Sequence, residues 1–233
     1  MELNYNSYYK DYANKTIDWL PMDTEDLYKQ NLKNRYADLQ QYNWIDQQFT
    51  YTFNSHGFRC SEFSNNPTVM FLGCSLTCGI GLPQHTTWPE LVSNQLGMQC
   101  ANLGIGAGSN DTAFRLCLGW IDLVKPKILV FATPYGHRAE LLLPDEYIEN
   151  LSPQWTDQYS HHLKIWSLDK NNFIFNKLKN SFAIQHLCAL RNIQYVEVDP
   201  ATIFVQGGDY ARDLTHPGIN CNRIFAQSVL TQI

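Results

Sequence analysis

The sequence contains no apolar run approaching the roughly 18 residues of a membrane-spanning helix, and it has no cluster of lysine or arginine. Charged residues make up only 17% of the 233 residues, and the formal net charge is −5. An acidic balance without a basic patch argues against a surface for nucleic acid or for an anionic membrane. The N-terminal stretch MELNYNSYYKDYANK lacks the apolar segment of a secretory signal. These features predict a cytoplasmic protein whose ligand is neither nucleic acid nor membrane.

The cysteine pattern of a disulfide scaffold or of a zinc site is also missing. The seven cysteines are an odd number with irregular spacing, and no Cys/His pair has a separation typical of metal ligands. Apolar residues make up 44% of the chain, and a chain of this length buries a sizeable core without cross-links or metal. We therefore expect free thiols, no metal and no cofactor.

Residues 1–60 differ from the rest and are predicted to form an N-terminal extension of helices and a small hairpin. Four tyrosines recur at helical spacing and would form one stripe: Tyr5, Tyr8, Tyr9 and Tyr12. The stripe is expected to pack on the main body, and the alternative is a docking surface for a protein partner. A helix is predicted from about Asp23–Asp26 onward, and the stretch QFTYTFNSHGFR is predicted as a hairpin that turns through residues 54–57.

From residue 61 onward, the pattern is that of one domain in which apolar strand-type runs alternate with helical segments. Strands are predicted over residues 68–72, 99–102, 127–132 and 195–198, and helices over 87–96, 109–124, 172–190 and after Pro217. Such alternation predicts parallel strands joined by right-handed crossovers and covered on both faces. The predicted fold class is α/β, a three-layer α/β/α sandwich with a central parallel sheet. Residues 133–170 are predicted to be irregular.

Candidate functional residues follow the predicted strands, where ligands of such sheets bind. Ser75 comes after the first strand, at a tight turn into a helix, which suits either a helix cap or a nucleophile. Asp213 lies three residues before His216 in ARDLTHPG. This spacing lets a carboxylate orient an imidazole that acts as a base, although an Asp–His pair at a helix start is often only a cap.

A glycine-rich turn, NLGIGAGSND, follows the second strand at residues 102–111. The backbone N–H groups of Gly106 or Ala107 are candidates for an anion-binding hole, and the alternative is a plain turn capped by Ser109. The glycines lack the G-x-G-x-x-G register of dinucleotide-binding proteins. Cys74 is an alternative nucleophile, because a thiolate near a helix N-terminus can be activated.

These pieces, in their order along the chain, resemble the SGNH/GDSL hydrolases. FLGCSLTCGIG resembles the first block of that family, NLGIGAGSND the second and DLTHPG the last, and YTFNSHGFR resembles a segment that precedes such domains. The resemblance covers about residues 50–233. It implies a flavodoxin-like α/β/α sandwich that hydrolyses esters, with Ser75 as nucleophile, His216 as general base and Asp213 as its orienting acid. It also implies that the N–H groups of Ser75 and of the turn at Gly106 and Ala107 stabilise the oxyanion.

The chain departs from the family at two places. Cys74 stands where the family has an aspartate before the serine, a signature residue outside the triad. After the third strand the family has an asparagine that donates to the oxyanion, whereas this chain has FATPYGHRAE. A substitute donor would be Asn110, His137 or Tyr135, or else the site works with two donors.

The function expected from this resemblance is hydrolysis of a small acyl ester through an acyl-enzyme. The substrate would be a small-molecule ester or a carbohydrate O-acetyl ester, with Trp155 and Trp166 beside the site. Two alternatives stay open: a weak or inactive protein of this fold that serves as an interaction subunit, and an O-acyltransferase with the same triad.

Overall fold

A computed structural model describes residues 5–143, 148–155, 159–203 and 208–233. The N-terminal segment contains two short strands and two helices: β1 (Thr16–Ile17), α1 (Glu25–Asn34), α2 (Tyr36–Gln41) and β2 (Tyr51–Thr52). Thr24, and not Asp23, caps α1 with its hydroxyl. Strand β2 pairs antiparallel with β1. The predicted turn through residues 54–57 is present, since the Asn54 N–H donates to the Phe58 carbonyl and the Gly57 N–H to the Asn54 carbonyl. No second strand pairs across this turn in the described residues, because β2 finds its partner in β1, on the far side of two helices in the chain.

The predicted tyrosine helix is wrong. Residues 5–9 are not helical, and only a single 3₁₀ turn, Lys10–Tyr12, follows them. The Ser7 hydroxyl donates to the Gly57 carbonyl and accepts from the Tyr9 N–H. Side-chain bonds of this kind compete with the helical ladder, so the chain turns and Tyr9 becomes buried.

The main sheet consists of four parallel strands: β3 (Thr68–Leu72), β4 (Gln99–Asn102), β5 (Ile128–Ala132) and β8 (Gln194–Val198). Their spatial order is β4-β3-β5-β8, and every neighbouring pair is parallel. Strand β3 lies inside the sheet, so the segment that follows it is flanked by the segments that follow β4 and β5. The carboxyl edge of these three strands brings the predicted site segments together.

Helices cover both faces of the sheet. They are α3 (Ser75–Cys78), α4 (Trp88–Leu96), α5 (Asn110–Val124), α6 (Ser160–Trp166), α7 (Asn171–Ala189) and α8 (Ile219–Leu230). Alternate residues of β3 point to opposite faces: Met70 joins a cluster with residues of α5 and α7, and Phe71 joins one with residues of α4 and α8. The α/β/α sandwich is confirmed, and the predicted strands and long helices match the observed ones to within one or two residues.

The segment predicted as irregular contains a second, small sheet. Strands β6 (Ala139–Leu142) and β7 (Ile148–Leu151) pair antiparallel, with Glu140 opposite Asn150. They were missed because neither strand has a clear apolar alternation: Ala139 through Leu142 are half-buried or exposed. Helix α6 follows this sheet.

The N-terminal segment shares the core of the sandwich. Tyr9, Leu20 and Phe58 belong to the same buried cluster as Met70 of β3 and Leu116 of α5. The division of the chain at residue 60 stays a prediction, and the side chains on its two sides pack as one cluster.

All seven cysteines are free and buried. Burial raises the pKa of the Cys60 thiol to about 12 and those of Cys78 and Cys188 to about 11. Since a thiol is nucleophilic only as the thiolate, we expect the native protein at pH 7.5 to react slowly with Ellman's reagent. Seven thiols per chain should react at once in guanidinium chloride. Rapid release of several equivalents from native protein would contradict this packing.

No helix within the described ranges combines the length and apolar character needed to cross a membrane. In the same residues, no group of three or more His, Cys, Asp and Glu side chains is arranged to hold a metal ion.

Candidate active site

Ser75 is the first residue of α3, directly beyond the carboxyl end of β3. The helix is a single turn that Gly79 ends in the left-handed conformation, with φ of 77°. Ser75 has 5% of its surface exposed. Neither its N–H nor its hydroxyl has a hydrogen-bond partner among the described residues. The sequence-predicted nucleophile therefore lies in a buried turn with its donors unengaged.

A buried arginine supports the C-terminal side of this turn. The Arg59 guanidinium donates to the carbonyls of Cys78, Gly79 and Leu82, and burial lowers its pKa. The Cys78 carbonyl is the last of the short helix and those of Gly79 and Leu82 follow it, so none of the three accepts a helical N–H. Sequence reasoning did not name Arg59. The signal that could have found it is its place at the end of YTFNSHGFR, the stretch that resembles a segment preceding SGNH/GDSL domains.

Asp213 and His216 form a hydrogen-bonded pair in the loop before α8. Asp213 Oδ2 lies 2.5 Å from His216 Nδ1, and both side chains are at least 95% buried. Asp213 Oδ1 accepts the backbone N–H groups of Thr215 and His216, each at 3.0 Å. One carboxylate thus holds both the imidazole and the backbone beneath it. The pair predicted from D-x-x-H spacing is in contact.

The segment after Ser75 is joined to the Asp213–His216 loop at Gly81. The Gly81 carbonyl accepts the Arg212 N–H at 3.0 Å. Gly81 has φ of 79°, and a Cβ there would lie 2.7 Å from the Ala211 Cβ. Only glycine satisfies both the left-handed backbone and this close approach. The serine turn and the histidine loop therefore pack directly on each other.

A buried ion pair ties both loops to the N-terminal segment. Arg212 and Asp23 are each 1% exposed in their side chains, with Nη2 and Oδ2 2.7 Å apart. Asp23 Oδ2 also accepts from the Tyr51 hydroxyl at 2.5 Å, and that hydroxyl accepts the Gly81 N–H at 2.8 Å. The Arg212 guanidinium lies over the rings of Trp19 and Phe49. Nothing in local sequence spacing links Asp23 to Arg212, so sequence reasoning missed this network.

The predicted oxyanion donors fall into two groups. The Gly106 N–H donates to the Tyr9 hydroxyl at 2.9 Å, so it is engaged and unavailable to a ligand in this structure. Burial raises the pKa of Tyr9 well above its usual value, so this hydroxyl stays neutral. No partner of the Ala107 N–H is found among the described residues. The Ser75 and Ala107 N–H groups therefore remain as backbone candidates.

Asn110 reaches the loop in which the family has its asparagine. It is fully buried at the first position of α5, and its Nδ2 donates to the Pro134 carbonyl after β5 at 3.3 Å. Sequence order assigned it to the loop after β4, yet its side chain contacts the loop after β5. Asn110 Oδ1 has no partner among the residues that the structure describes. Asn110 is therefore better placed as the substitute than its sequence position indicates.

The other two named substitutes lie farther along the same loop. Tyr135 is 42% exposed, and the His137 ring stacks on it with centroids 5.6 Å apart. Burial, followed by the charge of Arg138, lowers the pKa of His137, so this imidazole is neutral at physiological pH. Of the two tryptophans expected beside the site, Trp155 lines a cavity with Ala107 and Trp166 packs on Phe173.

Two cavities adjoin these residues. One, of about 210 Å³, is lined by Cys74 and Leu76 on one side and by residues 133–136 and 199–201 on the other. The second, of about 150 Å³, is lined by the Gly106–Ala107 turn and by Tyr8, Tyr9, Pro21, Met22, Glu149, Asn150 and Trp155. Both are smaller than the cavities that enclose drug-sized ligands, so each has room for a small group.

No model of a known protein family matches the sequence, and no curated protein matches it. Solved structures that resemble it include a lipolytic protein assigned to the G-D-S-L family from Desulfitobacterium hafniense, with 10% identity and a TM-score of 0.41. That match covers 72% of this chain and all of the other. The esterase EstA from Pseudoalteromonas has 12% identity, coverage of 71% and 95%, and a TM-score of 0.40.

A third such structure is AlinE4, a SGNH-hydrolase family esterase, with 11% identity, coverage of 73% and 96%, and a TM-score of 0.34. The roles of individual residues rest on their own geometry.

Proposed function

We propose that the protein is a serine ester hydrolase with Ser75 as nucleophile, His216 as general base and Asp213 as the residue that orients His216. The observation that carries the proposal is the buried Asp213–His216 hydrogen bond, in a loop that is bonded to the segment after Ser75 through Gly81 and Arg212. No hydrogen bond joins Ser75 Oγ to His216 Nε2 among the described residues, so the proposal requires the two atoms to come within hydrogen-bond reach when substrate binds, as nucleophilic catalysis demands.

In the first half-reaction, Ser75 Oγ attacks the carbonyl carbon of the ester while His216 Nε2 accepts the hydroxyl proton. The carbonyl oxygen becomes an oxyanion, which the N–H groups of Ser75 and Ala107 and the Asn110 amide are the candidates to stabilise. When the intermediate collapses, His216 returns the proton to the leaving alcohol oxygen, and the acyl group stays on Ser75.

In the second half-reaction, His216 accepts a proton from water, whose oxygen attacks the acyl carbon. Collapse of this second intermediate breaks the bond to Ser75 Oγ, returns the proton to that oxygen and releases the acid. Asp213 keeps Nδ1 of His216 as the donor throughout, so Nε2 is free to accept in both steps.

A small acyl group is the substrate class that fits best. The cavity of about 210 Å³ is lined by Cys74 and Leu76, the two sequence neighbours of Ser75, whereas Ser75 and His216 are not among its lining residues. A volume of this size suits an acetyl group or a short acyl chain, and a small-molecule or carbohydrate O-acetyl ester meets that limit.

Covalent labelling tests the assignment of the nucleophile. We expect a fluorophosphonate probe to label wild-type protein at a single site and to leave Ser75→Ala unlabelled, because the proposal makes Ser75 the residue that His216 deprotonates. Cys74→Ala is the matched control, since it removes the alternative nucleophile one residue away, and it should keep the label. A label that persists in Ser75→Ala would show that another residue is the nucleophile.

The second candidate function is a binding subunit without catalysis. The engaged Gly106 N–H and the 5% exposure of Ser75 favour it, because both reduce what the site offers to a substrate. A folded wild-type protein that neither takes the fluorophosphonate label nor hydrolyses p-nitrophenyl acetate would establish this candidate over the hydrolase.

A further inference from the structure

The Gly106–Ala107 turn contains a strained residue beside the candidate site. The Gly108 N–H donates to the Ile105 carbonyl at 3.0 Å, which closes a β-turn with Gly106 and Ala107 at its two central positions. Ala107 has φ of 63°, and Gly106 is outside the positive-φ region. These angles match a type II turn, whose second central position is normally glycine. An alanine in the left-handed region is strained, so contacts from outside the turn must hold it.

The direction of the Ala107 N–H depends on this turn type. A type I turn, which alanine adopts without strain, differs from type II by a rotation of the central peptide through about 150–170°. The central peptide here joins Gly106 to Ala107, so the rotation would turn the Ala107 N–H to the opposite side of the turn. Because that N–H is a backbone candidate for stabilising the oxyanion, a contact that fixes the turn also fixes the site.

Tyr9 supplies the contact that holds the first half of the turn. Its hydroxyl accepts the Gly106 N–H at 2.9 Å, and a Cβ on Gly106 would collide with the same oxygen. The ring is 3% exposed and packs against Phe53 and Tyr12, with centroids 5.5 and 6.0 Å away. The hydroxyl therefore cannot leave Gly106 unless the ring moves out of the core.

The backbone of Tyr9 is fixed by contacts that lie away from the turn. The Ser7 hydroxyl accepts the Tyr9 N–H at 3.1 Å and donates to the Gly57 carbonyl at 2.7 Å. A Cβ on Gly57 would lie 2.6 Å from the Tyr9 carbonyl oxygen, so the two segments approach closely. Upstream, the Asn6 carbonyl accepts from the Arg115 guanidinium at 2.9 Å. The position of the Tyr9 hydroxyl is thus set by the N-terminal segment as a whole.

The same hydroxyl reaches the helix that begins with Ser75. It interacts through a side-chain hydrogen bond with the thiol of Cys78, the last residue of α3. Asn102 forms a second bridge: its Nδ2 donates to the Thr77 carbonyl at 2.8 Å, and its Oδ1 accepts the Gly104 N–H at 3.0 Å. Two buried side chains, one from the end of β4 and one from the N-terminal segment, therefore tie the turn to α3.

We propose that Tyr9 is a positioning residue for the hydrolase reaction. Its hydroxyl holds the Gly106–Ala107 turn in the type II form against α3, so that the Ala107 N–H stays directed toward the carbonyl oxygen of the bound ester. The catalytic part rests on the proposed function, because it assigns Ala107 to the oxyanion, whereas the effect of Tyr9 on the turn does not. Without the hydroxyl, the Gly106 N–H is buried with no acceptor, and the turn relaxes toward the unstrained form.

Tyr9→Phe tests the hydroxyl while keeping the ring. We expect kcat for p-nitrophenyl acetate to fall about 10²-fold with KM nearly unchanged, because an oxyanion donor acts on the transition state more than on the bound ester. Tyr12→Phe is the matched control. Its ring stacks on that of Tyr9, its hydroxyl forms no hydrogen bond within the described residues, and its kcat should stay close to that of wild type.

A second substitution separates positioning from a general loss of stability. Ala107→Gly removes the strain of the left-handed residue, so in the Tyr9→Phe background it should keep the type II turn and recover about tenfold of the lost kcat. A protein that is merely destabilised would gain nothing from a further glycine, which costs backbone entropy.

Hydrogen exchange of the Gly106 amide, followed by NMR, is a readout that needs no substrate. The amide should be protected in wild type and in Tyr12→Phe, and it should exchange about tenfold faster in Tyr9→Phe, because its acceptor is gone.

The proposal is overturned if folded Tyr9→Phe keeps the wild-type kcat, if Tyr12→Phe loses as much, or if Ala107→Gly recovers none of the loss. An active wild type with an equally active Tyr9→Phe leaves the hydrolase standing and removes Tyr9 from it. A wild type that takes no fluorophosphonate label and hydrolyses no ester removes the hydrolase and the catalytic role of Tyr9. The exchange of the Gly106 amide then decides by itself whether Tyr9 holds the turn.

Discussion

Replacing Asp213 by asparagine is expected to lower kcat for p-nitrophenyl acetate about 10⁴-fold, while the fold and KM are nearly unchanged. The amide oxygen of the introduced side chain can still accept the backbone N–H groups of Thr215 and His216, as the carboxylate does. Its NH₂ group, however, would face His216 Nδ1 and force that nitrogen to accept. His216 Nε2 would then carry the proton and be unable to accept one from Ser75.

The control for this substitution is Asp209→Asn in the same loop. Asp209 caps the start of α8 by accepting the N–H groups of Asn220 and Cys221, and among the described residues it forms no hydrogen bond or ion pair with His216. An asparagine has one oxygen in place of two, so one of these N–H groups loses its acceptor; the replacement should cost about 1 kcal/mol of stability and leave kcat within a few-fold. A loss of rate in Asp213→Asn no larger than in Asp209→Asn would remove Asp213 from the proposed mechanism.

The second large effect concerns the ion pair between Asp23 and Arg212. Asp23→Ala is expected to lower the free energy of unfolding by about 3–5 kcal/mol, because it leaves the Arg212 guanidinium buried and 1% exposed without its carboxylate. The Tyr51 hydroxyl would lose its acceptor as well. Urea unfolding followed by circular dichroism and by tryptophan fluorescence measures the change.

Glu25→Gln provides the comparison. It breaks the surface ion pair between Glu25 and Lys29, whose side chains are more than half exposed, and it should cost under about 0.5 kcal/mol. If Asp23→Ala is as mild as Glu25→Gln, the buried network does not hold the N-terminal segment to the sandwich. That result would favour the view of residues 1–60 as a separable extension that docks a partner.

The strands and long helices of the sandwich could be predicted because their signals are local. A strand that is covered on both faces is apolar along nearly its whole length, as residues 69–72 of β3 and Ile128–Ala132 are. A helix start needs a cap within a few residues, and Ser109 supplies it for α5. The pairing of Asp213 with His216 is also local, since one turn contains both residues.

The N-terminal segment could not be predicted in the same way. The four tyrosines do have helical spacing. A helix there competes with the hydrogen bonds that the Ser7 hydroxyl makes to Gly57 and Tyr9. The sequence pattern could not show this competition, because Gly57 is 50 residues away from Ser7. Strand β2 likewise pairs with β1, which is distant in the chain, and not with a strand next to it in sequence. Short strands pair with whatever the fold brings beside them, and periodicity does not carry that information.

The sequence by itself determined the α/β class, the order of the strands and helices along the chain, and the candidates Ser75, Asp213 and His216 at the ends of elements. Only the tertiary structure decided which donors are free. The Gly106 N–H is engaged by a tyrosine 97 residues distant, Arg212 by an aspartate 189 residues distant, and Asn110 contacts the loop after β5. The physical reason is that the apolar periodicity of a segment indicates which of its own residues are buried, so it can be read from that segment alone. Whether a hydrogen-bond donor is free or engaged depends on a partner from elsewhere in the chain, which only folding brings within about 3 Å.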